Sequence, residues 1–201
     1  MTYPNFFNNT PTITMKDPLS NFLGTFEEGI VQFSYLDIVK AAGHSCPTVS
    51  GAYLSTLKAL EALYDDGSTP IRGNIYVSFK SNALEGVAGV IANVVSQITG
   101  ATKESGFKGL NGKFARNNLM EFDAEINTEM TFKRLDTGKT VAVTYNPSSV
   151  GGNPKMQELM GKLMQGLASA EEKKEFGELW QNRVEAIFNN MDNVITVNIV
   201  Q

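Results

Sequence analysis

The chain has 201 residues, 42% of them hydrophobic and 19% charged, enough apolar material for a core that needs no disulfide or metal staple. Its 17 Lys and Arg against 21 Asp and Glu leave a net charge of -4 with no block of like charge, which argues against a nucleic-acid-binding face. No run approaches the roughly 18 apolar residues of a membrane span. The first residues lack the basic and apolar segments of a secretory signal. One cysteine rules out an internal disulfide, so a cytoplasmic protein is expected.

In chain order, Thr12 to Met15 reads as a short edge strand. Ser34 and Asp37 have capping-box spacing, which predicts a helix from Tyr35 to Ala42 stopped by Gly43. Pro47 suits the first position of a second helix, whose apolar stripe runs to about Tyr64. Gly73 to Lys80 alternates as a half-buried strand, and a very apolar helix is predicted from Leu84 to Thr99. A polar, glycine-rich loop comes next, from Gly100 to Gly112. Strands are then predicted over Asn118 to Asn127, Met130 to Leu135 and Lys139 to Tyr145, the last two joined by Asp136-Thr137-Gly138. Helices over Met156 to Leu167 and from Ser169 onward, and a terminal strand over Val194 to Val200, complete the pattern. The expected architecture is a single α+β domain over 1–201: helices packed on a mostly antiparallel sheet, with a helical hairpin at 154–190 as an extension within it.

The rarest residues mark the candidate site. His44 is the only histidine and Cys46 the only cysteine, and both fall in Gly43-His44-Ser45-Cys46-Pro47. Random placement brings two singletons this close with a probability on the order of 2%. Imidazole and thiolate together suit a borderline-soft divalent ion, zinc above all, with nickel or iron as alternatives. Cys46 falls at the N-cap of the Pro47 helix, where the dipole and free N–H groups favour a thiolate. The same residues leave two other readings open. In one, Cys46 is a low-pKa nucleophile with His44 as its base; in the other, the pair ligates haem. A buried small thiol beside a hydrogen-bonded histidine is the bland alternative.

The phrase and the helix after it resemble the E-subunit family of formylmethanofuran dehydrogenase, whose hallmark is H-G-H-x-C-P-G opening a helix. The matching stretch is Ala42-Gly43-His44-Ser45-Cys46-Pro47-Thr48, then Gly51-Ala52-Tyr53 and Ala59-Leu60. Ile98-Thr99-Gly100-Ala101-Thr102, Gly112-Lys113-Phe114-Ala115 and Arg134 to Lys139 match further family motifs in order. The departures are as informative. The family's first histidine falls on Ala42, the cysteine of its G-c-T motif on Ala101, and its C-x-x-D on Val90 and Asn93. The family's cysteine-rich zinc ribbon is absent. The resemblance implies a metal near His44 and Cys46, a fold like the sheet-forming half of glyceraldehyde-3-phosphate dehydrogenase, and a homodimer.

With only two soft ligands, the expected metal site is open: His44, Cys46 and an oxygen from Glu85, with an exchangeable position for water or a small-molecule ligand. Glu85 is otherwise a solvated cap, and Asn93 a satisfied amide on an apolar helix. Lys113 and Arg116, beside the glycine-rich loop, can bind an anion but as surface charges need no such role. Met156, Met160 and Met164 read as helix packing. The apolar Leu84–Thr99 helix and the Met-rich tail helix offer more apolar stripe than one sheet face covers, and the tail helices are expected to contribute to the dimer contact.

Overall fold

The computed structural model describes residues 2–200. It is α+β, as the sequence predicts, with strands β1 (Ile13–Lys16), β2 (Ile30–Phe33), β3 (Ile75–Phe79), β4 (Met120–Glu121), β5 (Met130–Arg134), β6 (Thr140–Tyr145) and β7 (Ile195–Ile199). The helices are α1 (Pro18–Phe22), α2 (Tyr35–Ala42), α3 (Pro47–Leu63), α4 (Ala88–Thr99), α5 (Lys155–Met164), α6 (Ala170–Asn189) and α7 (Met191–Val194). Strands β1 and β2 form an antiparallel ribbon. The main sheet has the order β4-β3-β5-β6-β7, antiparallel except for the β3–β4 pair.

Local rules account for the corner that carries His44. Ser34 accepts the Asp37 N–H while the Asp37 carboxylate accepts the Ser34 N–H, so α2 opens on a complete capping box. It closes on Gly43 at φ +79, a left-handed position that costs glycine nothing. The long helix α3 then lies across β5, β6 and β7 and also touches α2, α4 and α6, which makes it the hub of the core. Its buried residues include Val49, Tyr53, Leu54, Leu60 and Leu63, facing Val77, Phe132, Val141 and Val143 of the sheet within one apolar cluster.

Three expectations give way. The strand predicted over Asn118 to Asn127 shrinks to Met120–Glu121, because Asn118 and Asp123 adopt φ of +57 and +58 and break the extended backbone on both sides. Helix α4 starts at Ala88 rather than Leu84. Residues 83–87 form turns around Gly86 at φ +53, which leaves Leu84 95% exposed. Arg116 is no surface charge, for only 8% of it is exposed.

Asp17 and Arg116, 99 positions apart, are joined by an ion pair from Nη2 to Oδ1 at 2.6 Å. Asp17 also takes Arg72 Nη1 on Oδ2 at 2.8 Å, and its Oδ1 caps α1 by accepting the Leu19 and Ser20 N–H groups. The remaining Arg72 donors reach the Ile98 and Gln97 carbonyls in the last turn of α4, where the helix dipole favours positive charge. A second cluster sets Arg134 against Asp66 and Asp136 and over the Tyr64 ring. Among the described residues, no helix is long and apolar enough to cross a membrane.

Candidate functional site

Three residues, His44 to Cys46, link α2 to α3, and the surrounding elements fix this link firmly. Cys46 is the N-cap of α3, with extended backbone at φ -151 and ψ 169, and its Sγ accepts the Val49 N–H at 3.4 Å. Pro47 at the first helical position has no N–H to leave unsatisfied. The Ser50 hydroxyl donates to the Cys46 and Pro47 carbonyls, and the Tyr145 hydroxyl reaches the Pro47 carbonyl from β6 at 2.8 Å. Ser45 shares a 2.9 Å bond between its Oγ and the Tyr35 hydroxyl. Its carbonyl accepts Trp180 Nε1 at 3.1 Å and Gln181 Nε2 at 3.2 Å from α6.

Burial pushes the Tyr35 phenol up, only partly offset by its bond to Ser45. The same cause pushes Tyr145 up to about 12, against the pull of Arg183. Both phenols therefore stay protonated at neutral pH and act as hydrogen-bonding posts for the loop.

His44 is exposed, with Nδ1 3.1 Å from the Ala42 carbonyl. The tautomer that makes this bond carries the proton on Nδ1 and leaves Nε2 free as a lone-pair donor. The ring lines a cavity of about 340 Å³ whose far wall is α4: Val90, Asn93, Val94, Ser96 and Gln97, with Ala42 beside His44. Val90, Asn93, Val94 and Gln97 recur at helical spacing, so one face of α4 meets the loop.

The positions that the resemblance aligns with the family's other ligands are partly gathered. Ala42, Val90 and Asn93 share the cavity with His44, whereas Ala101 is completely buried and is not on its wall. Cys46 is a half-buried free thiol packed against the core and also lies off this wall. Glu85 is exposed, in the turns ahead of α4, and is not brought to the cavity. Among the described residues no three His, Cys, Asp or Glu side chains come together as an ion-binding group. The wall offers one imidazole, two amides and a hydroxyl, with the thiol two residues along the loop.

Sequence reasoning missed the posts around the loop, Tyr35, Tyr145, Trp180 and Gln181. It also missed Ser96 and Gln97 on the far wall, whose Gln97 Oε1 is buried without a partner. For the wall residues a signal existed, since they continue the spacing of Val90 and Asn93. For Tyr145, Trp180 and Gln181 there is none, because they arrive from β6 and α6, about 100 or more positions away, and Tyr35 reads only as the first residue of α2.

A family model described as "FmdE, Molybdenum formylmethanofuran dehydrogenase operon" matches residues 41–197, which takes in the loop, the hub helix and the main sheet as far as the middle of β7. No curated protein matches. With more than half of its length covered in one stretch, the chain belongs to the FmdE family of formylmethanofuran dehydrogenase operon proteins.

Proposed function

We propose that the chain binds one divalent transition metal, zinc in the first place and nickel or iron otherwise, in an open site on His44 and Cys46, and serves an accessory or sensing role. The observation that supports this reading is the cavity in which His44 faces Val90 and Asn93 of α4, with Ala42 beside it. Of the positions that the resemblance aligns with the family's ligands, Ala42, Val90 and Asn93 line this cavity with His44, while Cys46 follows two residues along the loop and off the wall. His44 Nε2 and the Cys46 thiolate would hold the ion, leaving its other positions to water or a small ligand. When bound, the ion supplies Lewis acidity and an exchangeable coordination position. The chain's own contribution is to fix the imidazole through the Ala42 carbonyl and the loop through Trp180, Gln181 and Tyr145.

Protein purified without chelator should carry close to one metal per chain by elemental analysis. His44→Ala and Cys46→Ser should each lower zinc affinity by about 10-fold or more, with near-ultraviolet circular dichroism unchanged. Stoichiometric metal that survives both changes would overturn the proposal. So would a wild-type chain that takes up none from micromolar zinc.

We also propose a homodimer with the tail helices in its contact. Met164 and Leu167, at and just beyond the end of α5, are 81% and 71% exposed, more apolar surface than an isolated tail needs to show. Light scattering should give twice the 21.9 kDa chain mass. Met164→Glu with Leu167→Glu should return the single-chain mass, and a wild-type mass near one chain at high concentration would refute the dimer.

A further inference from the structure

A second cavity, of about 490 Å³, lies on the side of the molecule where the glycine-rich loop returns to the sheet. Arg72, Asn74, Phe114, Ala115, Arg116 and Asp136 are on its wall. Its charges are unevenly matched. Arg72 is satisfied, by Asp17 on one nitrogen and by the Gln97 and Ile98 carbonyls on the other two. Asp136 is likewise spent, holding Arg134 through both carboxylate oxygens and accepting from Asn74. Arg116 is different. It shares Asp17 with Arg72, so two guanidinium groups divide one carboxylate, and its Nη1 is buried with no hydrogen-bond partner.

That arrangement is costly unless something completes it. A buried guanidinium with an unmet donor loses hydration it does not recover. The backbone leaves room for this one at two glycines that also take left-handed φ, Gly73 at +82 and Gly100 at +76. A Cβ at Gly73 or Gly100 would stand 2.5 or 2.9 Å from Arg116 Nη1, so the guanidinium occupies space that only glycine leaves free. Asp17 and its bond to Arg116 account for the position of Nη2. They do not account for Nη1, nor for a second positive charge on a cavity wall.

We propose that this cavity binds the oxyanion of a small phosphorylated or carboxylated molecule, with Arg116 and Arg72 as its positive wall. Guanidinium groups match phosphate and carboxylate oxygens in both charge and fork geometry. The site is separate from the His44 cavity, with which it shares no wall residue, and does not depend on metal.

Thermal unfolding at pH 7 tests it, with inorganic phosphate, acetate and chloride compared at equal ionic strength. At about 20 mM, phosphate or acetate should raise the midpoint by about 3 °C over chloride. Phosphorus NMR titration should show saturable line broadening where phosphate is the better of the two. Arg116→Ala also removes the Asp17 pair and risks unfolding, so the decisive variant is Ala115→Glu, which sets a carboxylate of the chain's own on the cavity wall. It should keep the fold and lose the anion-dependent rise. A rise with phosphate but not acetate assigns a phosphate group, and the reverse assigns a carboxylate. Identical curves in all three salts would overturn the proposal, as would an anion effect undiminished in Ala115→Glu.

Discussion

Asp17→Ala is expected to destabilise the fold by about 4 kcal/mol, because it leaves Arg72 and Arg116 facing each other with no carboxylate between them. The pair itself need not be worth that much, since desolvation offsets most of the attraction between buried charges. The cost lies in removing one partner and leaving the others. The loss of the α1 cap adds to it, as the Leu19 and Ser20 N–H groups lose their acceptor. Urea unfolding at pH 7 measures the effect.

The pH dependence follows from the same contacts. Burial pushes the Asp17 carboxyl up, but the Ser20 N–H and the Arg116 and Arg72 charges outweigh it and hold it below the ordinary carboxylate value. A depressed native pKa means that the unfolded chain takes the proton first. The stabilisation is therefore complete above the unfolded value of about 4 and is lost as pH falls through the lower native one. Wild-type stability should drop across that acid range. Asp17→Asn should begin lower and fall less, and equal acid slopes for the two would contradict the account.

Gly51→Ala should destabilise by about 2 kcal/mol, although it replaces a poor helix former with the best one in the middle of α3. A Cβ at position 51 would enter the Tyr145 ring, coming within 2.5 Å of its Cζ. The ring has little room to yield, because its hydroxyl is tied to the Pro47 carbonyl four residues up the same helix. Overpacking against a clamped ring outweighs the gain in helix propensity of about 1 kcal/mol. Gly161→Ala is the control. It lies within α5, and a Cβ there would meet nothing within 4 Å, so the same substitution should stabilise by a few tenths to about 1 kcal/mol. Opposite signs for the two variants by urea unfolding support the packing argument. A stabilised Gly51→Ala would sink it.

What the sequence disclosed depended on how local the cause was. The α2–α3 corner was readable to the residue, because Ser34, Asp37, Gly43 and Pro47 each act on backbone within a few positions. Apolar alternation suggested a ten-residue strand around Met120. It could not reveal that Asn118 and Asp123 turn the chain at either end. Arg116 looked like a surface charge among glycines and asparagines, and only a carboxylate 99 positions earlier shows that it is buried. Of the candidate site, rarity points to His44 and Cys46 and the family resemblance to Val90 and Asn93, and the structure sets those two across a cavity from His44, with Cys46 off its wall. Glu85 is suggested only by its place ahead of the helix, and the turn around Gly86 sets that residue outside the cavity.

The indole of Trp180 rests its N–H on the carbonyl of Ser45, the residue between His44 and Cys46. It is the sole tryptophan in the chain. The protein thus carries its own optical reporter, wired by one hydrogen bond to the loop where an ion or ligand would arrive. Any event that shifts that carbonyl alters the polarity around the indole and therefore its emission. Occupancy can be followed in unlabelled protein, in real time, without a chemical reaction to watch.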